Sequence, residues 1–158
     1  MARIRRPSPL VIAALTAVMT AGCTPLLDGF VYAGLPYGAG TSAQGYLYRQ
    51  CTDYAAQAEE ALGTSPSLLQ NLGDAGQWPV AAAREGVAVD NVPAVGAVAV
   101  IPGNPGHVAV VVSEDTDGDT PAYELKGMNY TGHGEEDDQV SALPGRYTTF
   151  IHFERTHP

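Results

Sequence analysis

The sequence predicts an α+β fold in which N-terminal helices pack on a meandering antiparallel β-sheet. Apolar residues recur at helical spacing between residues 51 and 85, and the spacing then changes to the alternation typical of strands. An acidic turn with Asp117-Gly118 at its tip separates two strand-like segments, which favours an antiparallel hairpin. Helices first and strands afterwards is the order typical of α+β domains.

Three helices are predicted before the sheet. The first begins at Cys51 and is ended by Gly63. Its helical spacing is carried by Tyr54, Ala55, Ala58 and Leu62. Residues 65–72 begin with a Ser-Pro pair, which suits the start of a short second helix. Residues 77–85 form the third, ended by Gly86.

Five segments after Gly86 are strand-like. They are residues 87–89, 96–101, 107–113, 122–128 and 148–153. Residues 115–120, rich in aspartate, form the turn between the third and fourth of them.

Residues 1–22 resemble a secretion signal and are set aside from the fold. A basic start precedes a short apolar stretch, residues 9–19, and a comfortable membrane span needs about 20 residues. Ala21-Gly22-Cys23 is similar to the end of a bacterial lipoprotein signal, whose cysteine is acylated after cleavage. We therefore expect a lipid anchor on Cys23. Ordinary secretion, with Cys23 free or in a disulfide, and an uncleaved N-terminal anchor are the alternatives.

Residues 23–44, rich in Gly, Pro, Ser and Ala, are predicted to be a linker, and residues 45–158 a single domain. Removal of residues 1–22 leaves five basic and seventeen acidic residues, a net charge of −12. That charge excludes nucleic acid as an expected partner and disfavours adsorption to an anionic surface. Contact with a membrane would come through the lipid on Cys23. The sequence makes no prediction of oligomeric state.

Cys51 and His107 are the candidate nucleophile and base. Cys51 begins a helix, whose partial positive charge favours a thiolate, and His107 opens an apolar strand after Gly106. One cysteine with a distant histidine is typical of a thiol nucleophile and its base. Alternation puts His107 and Ala109 on one face, where the small Ala109 would leave room for the helix of Cys51. A buried structural thiol and a satisfied strand-end histidine are the alternatives.

Five sequence blocks in order carry a resemblance to a known family. They are residues 48–54 around Gln50-Cys51-Thr52, 76–78 (Gly-Gln-Trp), 93–100, 106–109 (Gly-His-Val-Ala) and 128–130 (Met-Asn-Tyr). The blocks resemble those of the CHAP family, the cysteine- and histidine-dependent amidohydrolases and peptidases, over about residues 46–153. The resemblance implies a papain-like (NlpC/P60-like) fold, with Cys51 as nucleophile and His107 as general base.

The resemblance also implies an acidic or amide side chain that orients the imidazole from the next strand. Family members often carry a glutamate two residues before the asparagine of that block, where this chain has Gly127. We expect Asn129 to orient His107. Glu124 is the alternative, and it would need a bulge at Gly127 to reach the same face as Asn129.

Gln50 and Trp78 are further candidates for the cleft. Gln50 is expected to bind the oxyanion together with the backbone N–H of Cys51, with a capping or packing role as the alternative. Trp78 either lines the cleft or belongs to the core.

No metal and no cofactor are expected. Asp115, Asp117 and Asp119 resemble the start of a calcium loop, but the downstream glutamate of an EF-hand is missing, so an acidic turn is the better interpretation. Some family members bind calcium through acids before the nucleophile, and residues 29–50 contain none. The histidines outside the site lack zinc-ligand spacing with Cys51.

These observations predict an extracytoplasmic cysteine hydrolase, secreted or lipid-anchored in the cell envelope, that cleaves amide bonds of peptidoglycan through a Cys-His thiolate and an acyl-enzyme. The bond is either the N-acetylmuramoyl–L-alanine amide or a peptide bond of the stem or cross-bridge. A non-catalytic envelope lipoprotein that uses the fold for binding or scaffolding is the main alternative. Hydrolysis of a non-wall amide such as glutathionylspermidine is a third.

Overall fold

The computed structural model describes residues 35–115, 122–134, 136–142 and 145–154 and has the predicted α+β architecture, with helices packed on an antiparallel sheet. The predicted signal, Cys23 and the turn at Asp117-Gly118 lie outside these residues. In the described ranges, no helix has the length and apolar character needed to cross a membrane.

The helical part is shorter than predicted. Helix α1 spans Cys51–Ala61 and helix α2 spans Trp78–Arg84. Two single 3₁₀ turns, Pro66–Leu68 and Ala75–Gln77, lie between them. The predicted second helix is reduced to the first of these turns, and Asn71 then adopts a positive φ of 60°, which does not continue a helix.

Within the described residues, six antiparallel strands form one sheet, in the order β1-β6-β2-β3-β4-β5. The strands are β1 Ala88–Asp90, β2 Val98–Ile101, β3 His107–Asp115, β4 Ala122–Met128, β5 Glu136–Ala142 and β6 Thr149–His152. The predicted meander holds from β2 to β5, whereas β6 returns to lie between β1 and β2. Strand β6 is thus flanked by a strand on each side. This position suits it, because Phe150 and Ile151 are both buried and belong to clusters on opposite faces of the sheet.

Strand β5 was not predicted. Residues 135–138 are four consecutive acids, which are depleted in strands, so the sequence pattern gives no strand signal there. In the structure β5 pairs with β4 at the edge of the sheet.

The sheet is covered on both faces, and Ala109 lies on the face that was not expected. Helix α1 packs on the face that carries Val108 and Val110. Ala109 belongs to the cluster on the opposite face, where its Cβ would lie 3.2 Å from a Cβ placed on Gly127. The prediction that Ala109 leaves room for the helix is therefore wrong. The small side chain of Ala109 instead leaves room for the neighbouring strand β4, which passes close to it at Gly127.

Residues 35–44, part of the predicted linker, are bound to the domain. The N–H of Gly38 donates to the Tyr48 carbonyl (3.1 Å), and the N–H of Tyr48 donates to the Gly40 carbonyl (2.9 Å). Gln44 is buried, and its side-chain amide contacts the carboxylate of Glu60. The small residues in this stretch serve tight turns against the domain, which a composition argument does not distinguish from a linker.

Candidate active site

A cleft of about 1090 Å³ lies at the end of the sheet where β3 begins. Four of the predicted site residues line it, namely Gln50, Cys51, His107 and Asn129. Glu124 is not among the lining residues. The volume is at the upper end of that of small-molecule pockets, so the cleft has room for an extended substrate.

The turn that precedes α1 places Cys51 at the floor of this cleft. Arg49 has a positive φ of 66°, which reverses the chain immediately before the helix. The buried carboxylate of Asp53 accepts the backbone N–H of Arg49 (3.1 Å) and the side-chain amide of Gln57 (2.8 Å), which fixes that turn. Cys51 is consequently the first helical residue, and 9% of its surface is exposed.

The surroundings of Cys51 raise the pKa of its thiol. Burial has the largest effect and raises the pKa, whereas the backbone N–H groups of Val108, Thr52 and Cys51 itself lower it. The charge of Asp74 raises it further. The N–H groups at the helix start act in the expected direction, but the net direction is opposite to the lowered pKa that a free thiolate requires. Burial therefore opposes a standing thiolate at Cys51, and a base near the thiol would promote its deprotonation.

His107 lines the same cleft as Cys51. It is the first residue of β3, and the N–H of the following residue, Val108, reaches the Cys51 thiol. The imidazole packs edge-on against Tyr130, with ring centres 5.2 Å apart, and against Tyr147, with ring centres 6.4 Å apart. The structure thus brings the predicted nucleophile and base together, and two aromatic rings restrict the orientation of the imidazole.

Two glycines allow the walls of the cleft to approach. Gly106 has a φ of +78°, and a Cβ on it would lie 2.8 Å from the Gly76 nitrogen and 2.8 Å from the Ile101 oxygen. The N–H of Gly76 donates to the Pro105 carbonyl (2.7 Å). The loop before His107 is therefore packed backbone to backbone against the wall that includes Asp74.

Trp78 belongs to the core, which was the alternative to a position lining the cleft. It is fully buried, its indole N–H donates to the Gly73 carbonyl (3.1 Å), and its ring lies 5.4 Å from that of Tyr46. Trp78 packs behind the cleft wall and is not among the residues that line the cleft.

Gln50 and Asn129 are joined by hydrogen bonds at the rim of the cleft. The Asn129 amide donates to Gln50 Oε1 (2.8 Å), and the Gln50 amide donates to the Tyr37 hydroxyl (2.8 Å). Tyr37 also accepts from the Asn129 amide (3.3 Å), and Asn129 Oδ1 accepts the backbone N–H of Gly134 (2.8 Å). These bonds hold the two amide planes in fixed orientations. Asn129 has a φ of 64°, a conformation that asparagine tolerates better than most residues.

His107 and Asn129 lie near the same end of the β3–β4 ladder. The pair of this ladder nearest the cleft is Ala109 with Gly127, two residues from His107 and two from Asn129. His107 and Asn129 both line the cleft. The predicted base and the predicted orienting residue are thus lining residues of one cleft.

Glu124 lies far from the cleft. It pairs with Ser113 and accepts the hydrogen of the Ser113 hydroxyl (3.0 Å). Ser113 is six residues from His107 along β3, which is roughly 20 Å in a strand. The bulge in this ladder lies between Val111 and Ser113, not at Gly127, so it does not turn Glu124 toward the site.

Comparison with known proteins identifies the family of this chain. The chain matches the CHAP domain family over residues 41–129, more than half of its length. The chain belongs to the CHAP family. The match includes Gln50, Cys51, His107 and Asn129.

Two relatives support the assignment. This CHAP domain is 37% identical over 108 residues to a protein named probable autolysin LDP from Staphylococcus aureus (strain NCTC 8325 / PS 47), a match that covers 68% of this chain and 37% of that protein. It is 25% identical to an N-acetylmuramoyl-L-alanine amidase from Staphylococcus aureus of known crystal structure, with a TM-score of 0.59 over 72% of this chain and 32% of that one. The chain thus spans about a third of the length of each relative. The structural similarity confirms the predicted papain-like α+β fold class.

Several residues that line this CHAP cleft, or that bind a residue lining it, were not predicted from the sequence. Tyr37 lies in the segment predicted to be a linker, and Arg146 follows the last acidic stretch, so neither has a local signal. Tyr130 is adjacent to Asn129 in the Met-Asn-Tyr block, which was the one available clue. Asp74 lines the cleft because it directly precedes the 3₁₀ turn Ala75–Gln77, which brings the chain to the cleft wall.

No metal cluster is found in the part of the chain that the structure describes, where a cluster means three or more His, Cys, Asp or Glu residues placed to hold an ion. The aspartates at 117 and 119 of the predicted acidic turn lie outside that part.

Proposed function

We propose that this CHAP domain hydrolyses an amide bond of peptidoglycan, with Cys51 as nucleophile and His107 as general base. The observation that carries the proposal is the position of the Cys51 thiol against the N–H of Val108, the residue directly after His107, at the floor of a large cleft. The names of the two relatives, an autolysin and an N-acetylmuramoyl-L-alanine amidase, support peptidoglycan as the substrate.

In the proposed mechanism the proton leaves the Cys51 thiol during the attack step, which agrees with the burial that raises the pKa of this thiol. His107 takes the thiol proton while the sulfur attacks the carbonyl carbon, which forms a tetrahedral oxyanion. Collapse of this intermediate breaks the C–N bond, and the amine leaves with the proton from His107. Water then attacks the thioester with His107 again as base, which releases the acid and restores the thiol.

Gln50 and the Cys51 backbone N–H are the proposed oxyanion donors. A primary amide has two N–H donors, and the Tyr37 hydroxyl accepts one from Gln50. The second is available for the developing charge. Because Asn129 and Tyr37 hold the amide of Gln50, the donor needs little reorganisation when the oxyanion forms.

Asn129 is the proposed orienting residue for His107, in preference to Glu124. Its Oδ1 accepts the Gly134 N–H, and a carbonyl oxygen has a second lone pair that can accept an imidazole N–H. Glu124 is separated from His107 by six residues of β3 and has Ser113 as its partner. A neutral amide in this role gives a Cys-His-Asn site of the papain type.

We place the protein outside the cytoplasm at the cell wall, with Cys23 as a lipid anchor. The support is the lipoprotein-like end of residues 1–22 and the cell-wall names of the relatives. One acyl chain binds membranes weakly, so a second acyl group is needed for stable anchoring. A mass increase on the N-terminal peptide that disappears in Cys23→Ala is the expected result, and an unmodified peptide would contradict it.

The decisive experiment follows new amino groups released from purified peptidoglycan by mass spectrometry. Wild type is compared with Cys51→Ala and His107→Ala, and Cys23→Ala is the matched control, since it removes the other thiol of the chain. We expect release by wild type and the control and loss of at least about 1000-fold in Cys51→Ala. A freed alanine amino group on the stem peptide identifies an amidase, and any other new terminus identifies an endopeptidase. Equal release by wild type and Cys51→Ala would refute hydrolysis and favour the non-catalytic binding module.

A further inference from the structure

The cleft carries one fixed charge of each sign among the described residues that line it. Arg146 is its one permanently positive side chain and Asp74 its one carboxylate. Asp74 lies on the Cys51 side, since its charge acts on the pKa of the thiol. Arg146 lies on the His107 side, where it contacts Tyr130. A substrate that crosses the cleft therefore meets opposite charges on its two sides.

Arg146 is held in place although it is exposed. Its guanidinium donates a hydrogen bond to the Tyr130 hydroxyl, and its central carbon lies 5.9 Å from the centre of the Tyr130 ring. Tyr130 in turn packs against His107. A guanidinium has five N–H donors in a planar fork, and the tyrosine hydroxyl occupies one of them. A charge that is already positioned loses less entropy when it binds a ligand.

We propose that Arg146 forms a carboxylate-binding subsite, and that this CHAP domain prefers peptides with a free carboxylate close to the cleaved bond on the His107 side. The proposal rests on the proposed function. A planar fork pairs with a carboxylate through two parallel hydrogen bonds. Elsewhere the chain is strongly acidic, with seventeen acidic and eight basic residues, so an anionic group has few other places to bind.

The geometry limits how far this carboxylate lies from the reacting bond. The guanidinium carbon is 5.9 Å from the Tyr130 ring centre, which is 5.2 Å from the imidazole centre of His107. At about 3.5 Å per residue, four extended residues suffice to bridge these two steps even if the steps lie in line. The preferred carboxylate is therefore expected within about four residues of the cleaved amide.

The test uses two synthetic muramoyl stem peptides, which contain the N-acetylmuramoyl–L-alanine amide as well as the peptide bonds of the stem, and which differ at one position, where one has a carboxylate and the other a carboxamide. Wild type is compared with Arg146→Gln and Arg146→Lys. Arg84→Gln is the matched control, because Arg84 is an exposed arginine of α2 outside the cleft and its loss changes the net charge equally. Circular dichroism verifies that each variant is folded.

We expect Arg146→Gln to lower kcat/KM for the carboxylate peptide about tenfold, equivalent to about 1.4 kcal/mol, and to change that for the carboxamide peptide less than twofold. Arg146→Lys keeps the charge without the fork and should lose an intermediate amount. Arg84→Gln should match wild type on both peptides. The difference between the peptides should shrink as salt is raised.

Equal losses on the two peptides in Arg146→Gln, or equal losses in Arg146→Gln and Arg84→Gln, would overturn the subsite. Peptide binding to Cys51→Ala, measured by calorimetry, separates this result from a failure of the proposed function. If wild type cleaves neither peptide but Cys51→Ala binds the carboxylate peptide more tightly in an Arg146-dependent manner, the subsite stands and hydrolysis fails. If wild type cleaves both peptides without preference, hydrolysis stands and the subsite fails.

Discussion

Replacement of Gly106 by alanine tests the close approach that forms the cleft. Gly106 precedes His107, has a φ of +78°, and faces backbone atoms of Gly76 and Ile101. Gly86, after α2, has a similar φ of +83°, but a Cβ there would meet nothing within 4 Å. The pair Gly106→Ala and Gly86→Ala thus shares the conformational cost, and only the first adds a clash.

The two contributions have different sizes. A non-glycine residue in the left-handed region costs about 1–2 kcal/mol, and both variants incur this cost. In Gly106→Ala the new Cβ would also lie 2.8 Å from two backbone atoms, which are less able to move than the end of a side chain. Overpacking of this kind costs about 1–3 kcal/mol. We expect the free energy of unfolding to fall by about 1 kcal/mol in Gly86→Ala and by about 3 kcal/mol in Gly106→Ala.

Urea unfolding followed by tryptophan fluorescence measures both values. Trp78 is the single tryptophan of the sequence and is fully buried, so its emission reports on the core behind the cleft. Peptidoglycan hydrolysis is measured in parallel below the unfolding transition. Gly106→Ala should lower activity because relief of the clash moves the loop that carries His107, whereas Gly86→Ala should retain wild-type activity.

Equal destabilisation of the two variants would refute the reasoning. It would show that the backbone at Gly76 moves away from the new Cβ at no cost in free energy. It would also show that the close approach of Gly106 to Gly76 does not maintain the shape of the cleft. Wild-type activity in a strongly destabilised Gly106→Ala would separate the two claims. The clash would then stand, and the link from Gly106 to the position of His107 would be wrong.

Three further results follow from the site and its surroundings. Tyr37→Phe should lower kcat/KM about three- to tenfold with little change in stability, since it removes a hydroxyl that accepts from Gln50 and Asn129; unchanged activity would contradict this role. In a Cys23→Ala background, iodoacetamide should alkylate Cys51 more slowly than free cysteine at pH 8, because burial raises the pKa of the thiol. Burial also raises the pKa of Tyr46 from 10.0 to about 12, so the stability that its neutral form contributes should be lost as pH rises from 10 to 12, and Tyr46→Phe should show a shallower alkaline decline.

Local signals predicted the parts of the fold that depend on short stretches of chain. The start of α1 at Cys51 and the start of β3 at His107 follow from periodicity and from glycines that interrupt it. Strand β5 escaped prediction because its acidic composition opposes its conformation, and its pairing with β4 outweighs that preference. The return of β6 between β1 and β2 is a long-range pairing that no local pattern specifies.

The site was predictable as a set of residues but not as a set of contacts. Cys51, His107 and Asn129 were expected from the block order, and all three line one cleft. Arg146, which lines the cleft, and Tyr37, which binds Gln50 and Asn129, were missed because they belong to segments without periodicity that lie outside the sequence blocks. Glu124 was retained on sequence proximity alone, and the strand register separates it from the cleft.

The pKa of Cys51 shows why the chemistry required the structure. The position at a helix start argues for a lowered pKa, and the N–H groups of Thr52 and Cys51 do act in that direction. Burial outweighs them because the thiol lies against β3, a tertiary contact with no local signature. In the proposed mechanism, a thiol kept neutral until His107 accepts its proton reacts slowly with external electrophiles and oxidants. Its attack on the substrate is not slowed in the same way, because the proton is transferred as the carbon–sulfur bond forms. Burial that opposes a standing thiolate is therefore compatible with the proposed nucleophile, and the imidazole of the proposed base, His107, is packed against Tyr130 and Tyr147.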